Sequence, residues 1–330
     1  MEAGTPLRIG ILGAARIAPM ALIRPARQVP EAEVAAVAAR DEARARSFAS
    51  KQRIPRVHRD YAALIDDPDL DAVYNPLPNG LHCEWTIRAL EAGKHVLCEK
   101  PIAANAEEAE RMAEASEKAG RVLVEAFHWR YHPLAARMKQ IIDGGDLGRL
   151  RHLEASLCFP LVIPGDIRYR YDLAGGATMD AGCYTISMVR HLSGVEPEVV
   201  GAEARLSSPQ VDRWMRAELR LPDGRTGRIT CSLFSSTLLQ LTVRAHGDSG
   251  ELRVFNPIAP HIYHRLSVRT PAGVARERVA GDSTYTHQLR AFVAAVRSGA
   301  PMVTDARDAV ANMRVIDAVY DKAGLKRRGT

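Results

Sequence analysis

The stretch that most narrows the possible folds lies near the start of the chain. An apolar run, Leu7 to Leu12, passes directly into Gly13-Ala14-Ala15-Arg16-Ile17-Ala18. A short apolar strand that turns on a glycine into a helix has the form G-x-G-x-x-G/A, here with alanine at the second glycine. In that setting the backbone N–H groups at the helix start can hold a pyrophosphate. Gly13, Ala15, Arg16 and Ile17 are therefore candidate cofactor-binding residues. Ala15 is expected to hold the backbone slightly farther from the phosphates. Pro19 suits a first helical turn, whereas Pro25 is expected to end or kink the helix.

The next strand, over residues 34–38, runs into Ala39-Arg40-Asp41. At this place NAD-binding folds put an acid on the ribose hydroxyl, and NADP-binding folds put an arginine near the 2′-phosphate. The planar fork of Arg40 suits phosphate oxygens, so the pattern predicts NADP rather than NAD. The plainer alternative is a solvated Arg40, with Asp41 merely capping a helix over 42–51. A strand over 71–74 leads into Asn75-Pro76-Leu77-Pro78-Asn79-Gly80-Leu81-His82, a shaped loop at the carboxyl edge of the sheet. Pro76, Leu77, Asn79 and His82 are candidate cofactor contacts there, His82 having a helix-capping role as its alternative. After a helix over 83–92 comes His95-Val96-Leu97-Cys98, which reads as a buried parallel strand and ends in Glu99-Lys100-Pro101. In an open α/β sheet ligands bind outside the carboxyl ends of the strands, which puts Glu99 and Lys100 at the chemistry. A surface lysine before a turn proline is the bland alternative. Asn105 and Glu108 make a capping-box-like start for an exposed helix ending near Gly120. A further strand over 121–127 finishes in His128-Trp129-Arg130-Tyr131-His132-Pro133.

At 330 residues the chain accommodates two domains, and no apolar run is long enough to span a bilayer. The formal charge of +6 helps attract an anionic cofactor. Because acids and bases are interspersed, it gives no support to nucleic-acid binding. Lys326-Arg327-Arg328 is the one basic run, expected to be frayed and solvated. The five scattered cysteines fit reduced thiols in a cytoplasmic protein and argue against disulfides or a metal site. Residues 1–6 lack the pattern of a secretory signal.

Beyond about residue 149 the pattern becomes period-two. Met215, Ala217, Leu219 and Leu221 alternate with Trp214, Arg216, Glu218 and Arg220. Short strands joined by turns predict an antiparallel sheet with one face buried and Trp214 on the open face. Arg168 and Tyr169 lie in a Pro- and Gly-containing loop, as contacts to a hydroxylated substrate or simply as loop surface. Asp180 and Tyr184, four apart at a helix start, are expected on one face; a capping acid and a core tyrosine are the alternative. A last helix over 304–323 takes Thr304 as its N-cap and Gly324 as its stop.

The series GILGAARIA, VAAVAARD, YNPLPNGLH, GKHVLCEKP and EAFHWRYHP, with GGATMDAGCY later, resembles the glucose–fructose oxidoreductase / inositol dehydrogenase / MocA-type (Gfo/Idh/MocA) family. It is most similar to the dimeric dihydrodiol dehydrogenase and NADP-dependent sugar dehydrogenase branch. The resemblance implies an α/β chain: a Rossmann doubly wound parallel sheet over residues 1–130, and an α+β domain with an open, mainly antiparallel sheet over 131–303. It further implies that the helix 304–324 packs back on the first domain, and that the second domain's sheet joins subunits into a homodimer or homotetramer. It assigns catalysis to Lys100, Asp180 and Tyr184, with Tyr184 exchanging the proton, Lys100 as its electrostatic partner and Asp180 orienting. Trp129 and Arg130 are implied at the cofactor, and Tyr285 and His287 at the substrate, with a cis bond before Pro101. The implied reaction moves hydride between nicotinamide and a secondary alcohol or ketone of a sugar, cyclic polyol or trans-dihydrodiol. Two rivals are a glycoside-cleaving member holding NAD tightly and a non-catalytic dinucleotide sensor.

Overall fold

The computed structural model describes residues 4–330. The chain forms two compact units, Met1–Tyr131 with Tyr285–Val310, and His132–Thr284 with Ala311–Thr330.

The first unit is built on six parallel strands: β1 (Leu7–Leu12), β2 (Ala32–Ala38), β3 (Arg56–His58), β4 (Ala72–Asn75), β5 (His95–Cys98) and β6 (Leu123–Glu125). Their order is β3-β2-β1-β4-β5-β6, the Rossmann order, which reverses between β1 and β4 and opens a crevice at the carboxyl ends there. The inner strands are short and nearly continuous in apolar residues because helices cover both faces. The helix Glu42–Gln52 starts where the Asp41 carboxylate accepts the Arg44 N–H, and ends at Arg53 in the left-handed region. Asn105 likewise accepts from Glu108 N at 2.9 Å, while the Glu108 carboxylate accepts from Ala104 N at 3.0 Å. Both caps satisfy N–H groups that the helix itself leaves unpaired.

After β1 the helix, expected to end or kink at Pro25, is irregular there and stops one residue past it, at Ala26. Residues Pro19–Ile23 wind as a π turn, with Arg24 N–H reaching back to Pro19 O, and Arg24–Ala26 continue as α-helix. Pro25 has no N–H to donate, and the wider turn stands directly ahead of it.

The helix Thr284–Ser298 was expected in the second domain, yet from Tyr285 onward it belongs to the first unit. Its Leu289, Phe292 and Val293 pack into the same core as Leu7, Ile9 and Leu97. The last helix, Ala306–Lys322, is divided. Only its first turn stays with the first unit; Asn312 and Tyr320 hydrogen-bond Cys183 O and Asp212 in the second. Its N-cap is Asp305, which accepts the Asp308 N–H at 2.9 Å, and not Thr304. The Thr304 hydroxyl instead donates to Glu125 O at 2.7 Å, buried behind β6.

The second unit holds β7 (Leu150–Cys158), β8 (Glu198–Ser208), β9 (Val211–Arg220), β10 (Thr226–Ser232), β11 (Gln240–Gly247), β12 (Glu251–Phe255), β13 (Arg265–Thr270) and β14 (Gly273–Glu277). They run in the order β14-β13-β12-β11-β7-β10-β9-β8, with β7 and β10 parallel and the other neighbours antiparallel. Leu153, Ala155, Met215, Ala217, Ile229 and Val243 are buried, and the helix Cys183–Ser193 packs on β7 and β10. Trp214, expected on the open face, is buried: the guanidinium carbons of Arg205 and Arg216 stand 4.9 and 5.5 Å from its ring.

The tail also differs from expectation. Lys326-Arg327-Arg328 is not frayed: Arg328 is wholly buried against Asp212, and Arg327 pairs with Asp321. Among the described residues, no helix is long and apolar enough to cross a membrane.

Candidate active site

In the first unit the candidate residues gather at the carboxyl ends of β1, β2, β4 and β5. Gly13 has φ +91°, a region open to glycine at no steric cost, and a Cβ there would sit 3.2 Å from Leu77 Cδ2. Its N–H donates to Ala38 O, which ties the turn after β1 to the end of β2. Ala15 and Ile17 are half-buried and Arg16 is exposed in this turn. Arg40 is exposed beyond β2. Arg44, which sequence reasoning missed, donates to Ala14 O at 3.1 Å and brings a second guanidinium to that corner. Burial raises the Tyr61 hydroxyl's pKa, against the pull of Arg40 and Arg44 beside it. A glycine turn at the switch point, flanked by two arginines, fits a dinucleotide carrying an extra phosphate.

The loop after β4 is braced from within. Asn75 is fully buried; its Nδ2 donates to Thr86 Oγ1 and His82 O, and its Oδ1 accepts from Leu77 N. His82, expected to touch cofactor, is also fully buried, with Nε2 2.7 Å from Leu77 O and Nδ1 2.9 Å from Pro101 O. Its ring joins the β4 loop to the β5 loop and carries the positioning of Leu77 and Lys100. Pro76 and Asn79 stay half-buried on the same loop. Burial, with a contribution from Lys100, lowers the His82 pKa to about 4.

Lys100 is half-buried and precedes a cis bond to Pro101, as the resemblance implies. Behind it the Tyr74 hydroxyl donates to Glu99 Oε1 at 2.7 Å, and Glu125 Oε1 accepts from Ile102 N at 2.8 Å. Glu99 therefore anchors the strand end from beneath. Burial and the Glu99 charge raise the pKa of both Tyr74 and Tyr285. Tyr285 is buried and stacks on His128 with ring centroids 4.0 Å apart, while His287 is half-buried two residues on. Trp129 has no exposed surface and serves the core. Arg130 lies 3.7 Å from Asp308.

In the second unit Asp180 lies in a π turn, Thr178–Gly182, which runs into the helix Cys183–Ser193. The wider turn means that four residues fall short of one revolution, so the single-face expectation for Asp180 and Tyr184 is modified. Tyr184 is buried; Asp180 is half-buried and ion-paired with Arg168 Nε at 3.1 Å. Arg168 also meets Asp166. Burial works against the Arg168 charge, but Asp180 and Asp166 more than offset it, and its pKa is raised. The Tyr169 hydroxyl donates to Leu161 O at 2.9 Å, which shapes the loop. Among the described residues, no cluster of His, Cys, Asp or Glu is arranged to hold a metal ion.

These features define the first unit as a dinucleotide-binding Rossmann fold. Residues 7–127 match the oxidoreductase family with NAD-binding Rossmann fold, and residues 135–253 match the GFO/IDH/MocA C-terminal domain. The chain belongs to the GFO/IDH/MocA oxidoreductase family. It is 36% identical to D-xylose 1-dehydrogenase (NADP(+)) 2 of Haloferax volcanii, over 96% of this chain and 97% of that one. It is 34% identical to a dTDP-3,4-didehydro-2,6-dideoxy-alpha-D-glucose 3-reductase of Actinomadura kijaniata, over 95% of each. A solved 3-ketoreductase from Actinomadura kijaniata, in complex with NADP and TDP-benzene, superposes with a TM-score of 0.90 at 31% identity, covering 96% of this chain and 98% of that one.

Proposed function

We propose that this chain is an NADP-dependent oxidoreductase acting on a secondary alcohol or ketone of a sugar, with cyclic polyols and trans-dihydrodiols as related substrates. The observation that carries the reading is full-length similarity to NADP-linked sugar enzymes in a chain that places Arg40 and Arg44 beside the first glycine turn. When bound, the dinucleotide supplies the two-electron redox chemistry at a carbinol carbon.

The protein's own part is to move the hydroxyl proton and hold the substrate. Tyr184 is the proton donor or acceptor, and the Lys100 ammonium favours its phenolate by charge. Asp180, held by Arg168, orients the reacting hydroxyl. The buried cysteines, none of them in a disulfide, suit a reducing, cytoplasmic setting. The second unit's sheet, whose outer face carries Glu154, Arg216, Glu218 and Arg228, is the proposed oligomer surface.

The test is turnover of NADP⁺ and NAD⁺ in parallel against a panel of aldoses, cyclic polyols and diols, followed by nicotinamide absorbance. Lys100→Ala and Tyr184→Phe are expected to lower kcat by about 10²- to 10⁴-fold. Full turnover in both variants removes them from the mechanism. A monomer in light scattering removes the oligomer.

A further inference from the structure

We propose that Arg328, near the chain's end, is a positioning residue for the active-site helix: its buried guanidinium locks the Gly175–Thr178 turn through Asp212 and so sets where Asp180 and Tyr184 stand. The inference rests on the roles of Asp180 and Tyr184 given above.

The guanidinium is fully buried and each nitrogen has an assignment. Nε donates to Gly175 O at 2.7 Å, Nη2 to Asp212 Oδ1 at 2.9 Å, and Nη1 to Lys326 O at 3.0 Å. Asp212 is equally buried. Its Oδ1 also accepts from Tyr320 Oη at 3.0 Å, and its Oδ2 accepts both the N–H and the hydroxyl of Thr178 at 2.7 Å. Thr178 O in turn accepts the N–H of Cys183, the residue before Tyr184. An unbroken series of hydrogen bonds thus runs from the tail to the residue preceding the proposed acid–base group, with Asp180 inside the turn it closes.

Gly176 shows how tightly the clamp is drawn. It has φ +139°, and a Cβ there would run into Asp212 Oδ1 and crowd Tyr320 Oη and Arg328 Nη2. A side chain is excluded because the carboxylate presses on the turn. The planar fork of arginine directs its donors at fixed angles towards a carbonyl and a carboxylate together, a geometry that the shorter-reaching point charge of a lysine does not reproduce. Arg328 also lies 4.1 Å over the Tyr320 ring. The adjoining Arg327 has a different part, an exposed pair with Asp321.

The test compares Arg328→Ala, Arg328→Lys and the control Arg327→Ala by kcat, by NADPH affinity and by hydrogen exchange over residues 175–184. Arg328→Ala is expected to lower kcat by about 100-fold, the scale of a misplacement near 1 Å. NADPH affinity should be unchanged, and exchange should rise locally over 175–184. Added guanidinium ion should restore part of both kcat and protection. Arg328→Lys should show the same split in weaker form, and Arg327→Ala should match the wild type. If Arg328→Ala does not fold, Arg328→Lys carries the same readouts. Wild-type kcat and exchange in the Arg328→Lys chain overturn the proposal. So does a uniform rise in exchange across the second unit that guanidinium ion does not reverse, since that marks a purely structural pair. If the wild type turns over no sugar or diol, the functional reading fails, while exchange over 175–184 still decides the clamp.

Discussion

Lowering the pH tests the loop joint at His82 directly. The imidazole is fully buried and its pKa is depressed from 6.5 to about 4, first by burial and further by Lys100, although two carbonyls facing its ring nitrogens pull the other way. The folded state thus favours the neutral ring. Its contribution is present above pH 6.5, where the unfolded ring is neutral too, and is lost as the pH falls from 6.5 towards 4, because the unfolded chain binds the proton first. For these two values the loss between about pH 7 and about pH 5 comes to about 2 kcal/mol, a large share of an ordinary folding stability. Urea unfolding of the wild type at both values, beside His82→Gln, reads it out: the variant is less stable at neutral pH and has a flatter pH response. The ring's own titration by NMR, assigned through the variant, is expected near the low value. A midpoint above 6.5 refutes the argument; the two carbonyl acceptors would then outweigh burial, and acid would strengthen the loop joint.

Arg40→Ala is expected to weaken NADPH binding by about tenfold, roughly the 1.4 kcal/mol of one charge-assisted contact, and to leave NADH affinity unchanged; fluorescence titration with both nucleotides checks it. Tyr74→Phe removes a buried donor to Glu99 and should destabilise the first unit by about 2 kcal/mol in urea unfolding.

What could be read from the sequence was what depends on near neighbours. The strand from Leu7, the Asp41 and Asn105 caps and the run His95–Cys98 each declare themselves within a few residues, and the structure has them. Thr304 misled because two cap-forming residues stand side by side; the choice fell to Asp305 when Thr304 was drawn to Glu125 across 179 residues. Trp214 misled because alternation assigns a face but not what lies over it, and two arginines cover the ring. Tyr285 reads as one turn of an amphipathic helix, and its stack on His128 and its packing with Leu7 and Leu97, all distant in sequence, give it a place in the first unit. Arg328 was unreadable for the same reason carried further: its partner Asp212 is 116 residues away, on a strand whose pattern marks it only as one more polar position.

The two π turns show where local reading stops being enough. Both lie at motifs the sequence singles out, Pro19–Ile23 after the glycine turn and Thr178–Gly182 around Asp180, in keeping with the tendency of such turns to occur at functional sites. Their physical settings differ. In the first, Pro25 withholds an N–H and the backbone widens ahead of it. In the second, a Cβ on Gly182 would come within 3.1 Å of Cys231 Sγ, and Asp212 holds the N–H of Thr178 from the other side, so the turn is pressed between β10 and a carboxylate on β9. That second wider turn alters the offset between Asp180 and Tyr184, and with it the geometry on which the proposed proton relay depends. A motif spacing therefore names the candidate residues of the site, while a glycine contact and a carboxylate from a distant strand decide how those residues face.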